Sequence, residues 1–409
     1  MKNCIIAQSG GPTAAINASL AGVMAAAASM GYDNIYGALN GITGILDKNL
    51  IELTDVAKND PKMLNILKQS PAMYLGSCRF KLPKSEDASD VYEKIFATFE
   101  EYDISAFFYI GGNDSMDTVH MLSAYGQKTD KPIRIIGVPK TIDNDLCETD
   151  HTPGFGSAAK YVATSILEIA HDAYIYDKKS VTIVEIMGRD AGWLTASSVL
   201  ARTAYSAAPH LIYLPEMPFS KENFIADVKE QLEKHTQVII AVSEGVRDAE
   251  GNYISASSKS NDAFGHVQLN GTGKTLENLL NNTLDVKVRS IELNVLQRSA
   301  EHLSSLTDID ESFALGQHAV KMAEDGITAC MAAVKRLSSS PYSVTYASVP
   351  VEKVANAVKS VPKEWINARG NDVTDALVEY AAPLIVGETQ IPYKNGLPVY
   401  ADISHLLHK

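Results

Sequence analysis

Short apolar runs of strand character alternate with helix-like segments along most of this chain, and that alternation leaves few folds open. Residues 4–7 read as a strand and 14–30 as an alanine-rich helix that ends before Gly31. Strand-like runs at 106–110, 133–138 and 181–186 are each followed by a helical pattern, from about 115, over 157–173 and from 191. Further strands are expected at 211–214, 237–243 and 342–347, with helices at 221–234 and 310–323. A chain of this kind is α/β, with mainly parallel sheets covered by helices on both faces. Its 409 residues suffice for two or three such units. A break is expected after Asp145, near Pro153-Gly154-Phe155-Gly156, with a cleft at the junction.

Composition excludes several function classes. The net charge of −13 argues against non-specific nucleic-acid binding. It also means that a phosphate site must be a local cluster of cations, for which Arg79, Lys81, Lys140, Arg189, Arg289 and Arg298 are the candidates. No apolar run approaches the roughly 18 residues that would span a membrane. The chain enters its first strand at once, leaving no room for a signal peptide. Cys4, Cys78, Cys147 and Cys330 are too scattered for a zinc site or disulfide framework, so a reducing cytoplasm is expected.

The chemistry concentrates in loops that follow strands, where open α/β sheets carry their sites. Pro139-Lys140-Thr141-Ile142-Asp143-Asn144-Asp145 follows the 133–138 run. Two carboxylates two residues apart, beside a lysine and a hydroxyl, suit phosphoryl transfer. One carboxylate can take a proton from an attacking hydroxyl, the other can serve Mg²⁺, and the lysine can meet phosphate charge. Ser9-Gly10-Gly11-Pro12-Thr13 and Gly111-Gly112-Asn113-Asp114-Ser115 each join a strand to a helix whose free N–H groups can face an anion. The plain alternatives are a tight turn at the first loop and a helix cap by Asp114 or Ser115 at the second. Met187-Gly188-Arg189 follows another strand, and Arg189 can fork onto a phosphate or sit in a surface ion pair. Glu244 can accept from a sugar hydroxyl. Arg289 and Arg298 bracket a segment with a strand-like start. Gly271-Thr272-Gly273-Lys274-Thr275 mimics the end of a nucleotide loop, but Gln268 stands where its first glycine belongs, so it reads as a helix start.

Together these residues resemble the phosphofructokinase family, with motifs in the family order from Met1 to about Leu384. Ser9-Gly10-Gly11, Gly76-Ser77-Cys78-Arg79, Gly111-Gly112-Asn113-Asp114-Ser115, Thr141-Ile142-Asp143-Asn144-Asp145, Met187-Gly188-Arg189, Glu244 and the Arg289/Arg298 pair carry the likeness. ATP-using members have glycine where this chain has Asp114 and Lys140, so the chain looks like the diphosphate-dependent branch. A carboxylate at Asp114 would repel the α-phosphate of a nucleotide, while Lys140 would attract a compact diphosphate. The resemblance implies two Rossmann-like three-layer α/β domains. A donor-binding unit would span 1–148 with a returning segment at about 299–345. A sugar-phosphate unit would span 149–298 with segments at about 346–409.

The resemblance also implies roles. Asp143 would take the proton from the 1-hydroxyl of fructose 6-phosphate, with Thr141 and Arg189 stabilising the phosphoryl group in flight. Gly11, Arg79, Lys81, Asp114 and Lys140 would face diphosphate. Met187, Gly188, Arg189, Glu244, Arg289 and Arg298, with Thr141 and Asp143, would bind the sugar phosphate. Asp145, with Asn113 and Asp114, would hold Mg²⁺. Three positions depart from the family pattern. Asn113 replaces a usual aspartate, and Val295 replaces a histidine on the sugar phosphate. Ser180 stands near the position of an arginine that reaches in from a neighbouring subunit, where Lys178 or Lys179 can substitute. A homodimer or homotetramer is expected. The alternatives are ATP as donor and sedoheptulose 7-phosphate as sugar.

Overall fold

The structure is a computed structural model that describes residues 1–78, 80–255, 271–355 and 357–407. Its first strand, β1 (Asn3–Gln8), is buried along its whole length. Alternating side chains feed two separate cores, as a strand covered on both faces requires. Cys4 and Ile6 pack toward the helices Ile16–Ser29 and Leu306–Glu324, whereas Ile5 and Ala7 join Tyr92, Phe96 and Phe107 on the other face.

Around β1 lie β2 (Ile35–Ala38), β3 (Leu50–Glu52), β4 (Ile104–Gly111) and β5 (Arg134–Pro139). The second unit supplies β6 (Ser180–Ile186), β7 (Leu211–Tyr213), β8 (Gln237–Ser243) and β9 (Lys287–Glu292). The chain then returns to the first sheet through β10 (Cys330–Ser339) and β11 (Tyr342–Pro350). The first sheet has the order β11-β10-β5-β4-β1-β2-β3, antiparallel only at its two edge pairs. The second, β7-β8-β6-β9, is wholly parallel. The predicted α/β architecture with mainly parallel sheets is therefore present in both units.

The returning helix Leu306–Glu324 ties the units together. It meets Ile16–Ser29 so closely that a Cβ on Gly22 would lie 2.0 Å from the Phe313 carbonyl oxygen, and one on Gly316 2.3 Å from that of Ser19. Near its start, the buried Asp308 carboxylate accepts the N–H groups of Gly154 and Ser157, both at 2.9 Å. These are free donors at the start of the second unit's first helix, Phe155–Tyr174. The loop between β5 and that helix is thus pinned at its helix end.

Two expected boundaries move. β11 continues to Pro350, past the expected limit at 345, because it keeps pairing antiparallel with β10 as far as Cys330. The segment assigned to the second unit also sends Ala401 and Leu406 into the first unit's core. The helix expected from 191 is only Trp193–Ala196, continued by a 3₁₀ turn.

Candidate active site

The loops after β1, β4 and β5 face the loops after β6 and β8, so the C-terminal ends of both sheets border one cleft. On the first side, Lys140 stitches two glycine loops together. Its backbone N–H donates to the Gly111 carbonyl at 2.9 Å, and its buried ammonium donates to the Gly11 carbonyl at 2.6 Å. Gly10 has φ +81°, and a Cβ there would come within 3.1 Å of the Lys140 Nζ. A Cβ on Gly11 would lie 3.2 Å from an Arg298 Nη. The left-handed backbone favours glycine at Gly10, and at both positions a side chain would press on the end of a cationic one. Burial pushes the Lys140 amine down to about 8, against the raising effect of Asp143.

Asn144 turns the chain between the two carboxylates with φ +54°, a left-handed conformation that asparagine tolerates. Its side chain is held on both edges. Its amide donates to the Tyr380 hydroxyl at 2.8 Å, and its carbonyl oxygen accepts from Thr152 N–H at 3.1 Å. Asp143 N–H donates to Thr141 Oγ1 at 3.1 Å. Burial raises the Asp143 carboxyl above the ordinary aspartate range, while Lys140, Arg189 and Arg298 pull it down. Asp145 is raised to about 7, first by burial and then by the neighbouring Asp143 charge.

Asn113 donates its amide to Asp145 Oδ2 at 2.9 Å, leaving its own Oδ1 buried without a partner among the described residues. An unpaired oxygen beside a carboxylate fits a hard cation. Mg²⁺ commonly takes only one or two protein oxygens, with the remainder from water and substrate phosphates. Among the described residues, no group of three His, Cys, Asp or Glu gathers into a metal cage. Asp114 is exposed on the first turn of Asn113–Lys128, where Gly112 holds the cap position. Its carboxylate makes no hydrogen bond among the described residues, so the cap reading for Asp114 does not hold.

The opposite wall is built around a glycine that must be glycine. Gly188 has φ +146°, and a Cβ would sit 2.7 Å from the Ala191 carbonyl oxygen. Its N–H approaches Glu244 Oε1 at 3.5 Å, and its carbonyl accepts from the Ser243 hydroxyl. Burial raises Glu244 to about 7, helped by the Asp143 charge. Arg189 lies near enough to act on both carboxylates, and its Nε is buried without a partner among the described residues. Met187 N–H is held by Gln297 Oε1 at 3.2 Å, which joins the Met-Gly-Arg loop to the turn Asn294–Arg298.

The structure does not bring every expected residue here. Arg289 lies within β9, in register with Thr182, so it sits about 16 Å from the Met187 end of the sheet at roughly 3.3 Å per residue. Its guanidinium contacts Thr182 Oγ1 at 3.0 Å and Asp172 Oδ2 at 3.1 Å. Within this chain Arg289 therefore lies away from the carboxyl ends of the parallel strands, which border the cleft. Arg289 instead lines a separate concavity of about 840 Å³ with Lys178, Lys179, Ser180 and Lys287. Lys81 is exposed and makes no ion pair among the described residues. Val295 is also exposed, at 48%. Arg79 and Gln268 lie outside the described residues. The nucleotide-loop mimic is a helix start, Thr272–Asn281, whose Gly273 N–H is taken by the internal carboxylate of Glu185 at 2.7 Å. An anion would find that position filled.

One supporting residue had no sequence signal. Lys359, far along the chain, sends its ammonium to the carbonyls of Asp150 at 2.8 Å and Thr149 at 3.1 Å. Its N–H donates to the Asp145 carbonyl at 2.7 Å. It braces the 140–145 loop from behind, against the Trp193 ring.

This architecture and site define a sugar-kinase-like α/β transferase, and comparison supports the class. The sequence profile of the phosphofructokinase family matches residues 3–323, and the chain belongs to that family. It is 41% identical to a pyrophosphate–fructose 6-phosphate 1-phosphotransferase from Halomonas elongata, across 98% of this chain and 96% of that one. It is 32% identical to a sulfofructose kinase from Alkalicoccus urumqiensis, across 89% and 92%. The crystal structure of a pyrophosphate-dependent phosphofructokinase from Marinobacter aquaeolei superposes with a TM-score of 0.87 at 35% identity, covering 98% of this chain and 96% of that one. No helix among the described residues is long and apolar enough to cross a membrane.

Proposed function

We propose that this chain transfers a phosphoryl group from diphosphate to the 1-hydroxyl of fructose 6-phosphate, giving fructose 1,6-bisphosphate and phosphate. The observation that carries the reading is the Lys140 ammonium, seated on the Gly11 carbonyl beside Asp143. It provides a compact cation at the floor of a glycine-lined loop, next to a carboxylate with raised proton affinity. Asp143 takes the hydroxyl proton as that oxygen attacks phosphorus, the anhydride P–O bond breaks, and phosphate leaves. Thr141 and Arg189 stabilise the transferring group. One anhydride is exchanged for one ester, so the reaction runs usefully in both directions.

Mg²⁺ is the proposed metal, held by Asp145 and the free oxygen of Asn113, with Asp114 close by in sequence. It would neutralise the charge that two phosphorylated substrates bring together. Gly11, Arg79, Lys81, Asp114 and Lys140 form the proposed donor side. Met187, Gly188, Glu244 and Arg298 form the sugar side. Arg298→Ala is expected to raise KM for fructose 6-phosphate about ten- to hundredfold, the effect of one lost charge-assisted contact. KM for diphosphate should barely move; a rise confined to diphosphate would reverse the two subsites. The basic concavity of Lys178, Lys179 and Arg289 supports a homo-oligomer in which these cations reach the sugar phosphate of a partner's cleft.

The deciding assay offers purified protein fructose 6-phosphate or sedoheptulose 7-phosphate with Mg²⁺, and diphosphate or ATP as donor. Turnover of fructose 6-phosphate is expected with diphosphate and is expected to stop in excess chelator. Asp114→Gly should raise kcat/KM with ATP at least about tenfold, equivalent to roughly 1.4 kcal/mol of relieved repulsion. A wild-type preference for ATP would overturn the donor assignment.

A further inference from the structure

The donor side of the cleft has an outer brace that comes from the far end of the described chain. After the short hairpin of Tyr393–Lys394 and Leu397–Pro398, the segment 399–407 crosses back to the first unit. Ala401 N–H donates to Ser70 Oγ at 2.8 Å. The His405 Nε2 lies 2.7 Å from the Tyr74 carbonyl oxygen, and the two rings pack at 4.6 Å. Leu406 joins the first core, and its Cδ2 would be 3.2 Å from a Cβ on Gly76.

The loop that receives these contacts is the one that faces the donor. On its inner side, Tyr74 N–H donates to Asn17 Oδ1 at 3.0 Å and Leu75 N–H to Gln8 Oε1 at 2.9 Å. Leu75 and Ser77 offer their carbonyls to Asn40, at 2.8 and 3.0 Å. Ser77 Oγ then donates to the Gly10 carbonyl at 2.8 Å. Gly10 in turn borders the Lys140 ammonium. The 70–77 loop is therefore held between the glycine loop within and the 399–407 segment without. Nothing in the reaction requires His405 to touch substrate.

We propose that His405 is a positioning residue for diphosphate. By holding the Tyr74 carbonyl it fixes the 74–77 loop against Gly10, so that the donor side is formed before substrate arrives. Preorganised loops bind more tightly because less ordering remains to be done on binding. The expectation is selective: contacts to the sugar wall run through Met187, Gln297 and Glu244 and bypass this segment.

The inference rests on the reading that diphosphate binds against the Gly10–Gly11 loop, and its test keeps the two apart. Wild type, His405→Ala, His405→Gln and Ser70→Ala are compared for kcat, both KM values and melting temperature. His405→Ala is expected to raise KM for diphosphate about three- to tenfold, the range of one net hydrogen bond. Its kcat and its KM for fructose 6-phosphate should stay near wild type. His405→Gln keeps an N–H donor and should recover most of the loss. Ser70→Ala loosens the other end of the segment and should shift KM in the same direction. An unchanged KM for diphosphate in folded His405 variants overturns the proposal, as do equal rises in both KM values. A wild type that does not use diphosphate overturns the earlier reading instead.

Discussion

Asp143→Asn should lower kcat by about 10²–10⁴-fold, the usual loss when a positioned general base is removed, while KM for fructose 6-phosphate stays nearly unchanged. The substitution keeps the side chain's shape, and the loop is held by backbone and neighbouring contacts that it leaves alone. Asp143 N–H still reaches Thr141 Oγ1, and Asn144 still bridges Thr152 and Tyr380. What disappears is the ability to accept the hydroxyl proton. The carboxyl is raised above the ordinary aspartate range by burial, so wild-type activity should fall on the acid side at a pH above that range. Steady-state rates across pH test both points. Near-normal turnover in the variant would remove Asp143 from the mechanism.

Lys140→Gly should cut kcat/KM for diphosphate about ten- to hundredfold or more, on the scale of a lost charge-assisted bond. The same change should leave fructose 6-phosphate affinity close to wild type. Lys140 also predicts a basic limb. Burial favours its neutral form and brings it to about 8 in the free cleft. Only the protonated amine can pair with diphosphate, so kcat/KM for the donor should decline as pH rises through about 8. An arginine stays charged throughout this range, so Lys140→Arg should abolish that limb even if it binds less well. A limb unchanged in Lys140→Arg would assign it to another group. Lys359 is the obvious alternative, since burial brings it to about 8 as well.

The loops that carry these residues were legible because their patterns are local. The Thr-Ile-Asp-Asn-Asp and Met-Gly-Arg loops are contiguous and follow strands with a clear apolar pattern, so residue type and position point the same way. The helices Lys221–Lys234 and Leu306–Glu324 and the strand β8 also follow directly from periodicity. β10 was not anticipated, because its last residues alternate between exposed and half-buried and pair only with the edge strand β11. The short β2 and β3 carry too few residues to show a period.

The amino-acid sequence by itself determined the α/β class and the order of the strand-following loops, since each depends on neighbours within a few residues. Tertiary structure alone decided what meets across the cleft and behind it. It took Arg289 away from the cleft end of its sheet, because register along a parallel strand, and not distance in sequence, sets which end of the sheet a side chain serves. It brought Lys359 under Asp145 and His405 onto Tyr74, pairs separated by hundreds of residues. Such contacts follow from how buried polar groups find partners when two units and a returning segment pack, and no local pattern of residues announces them.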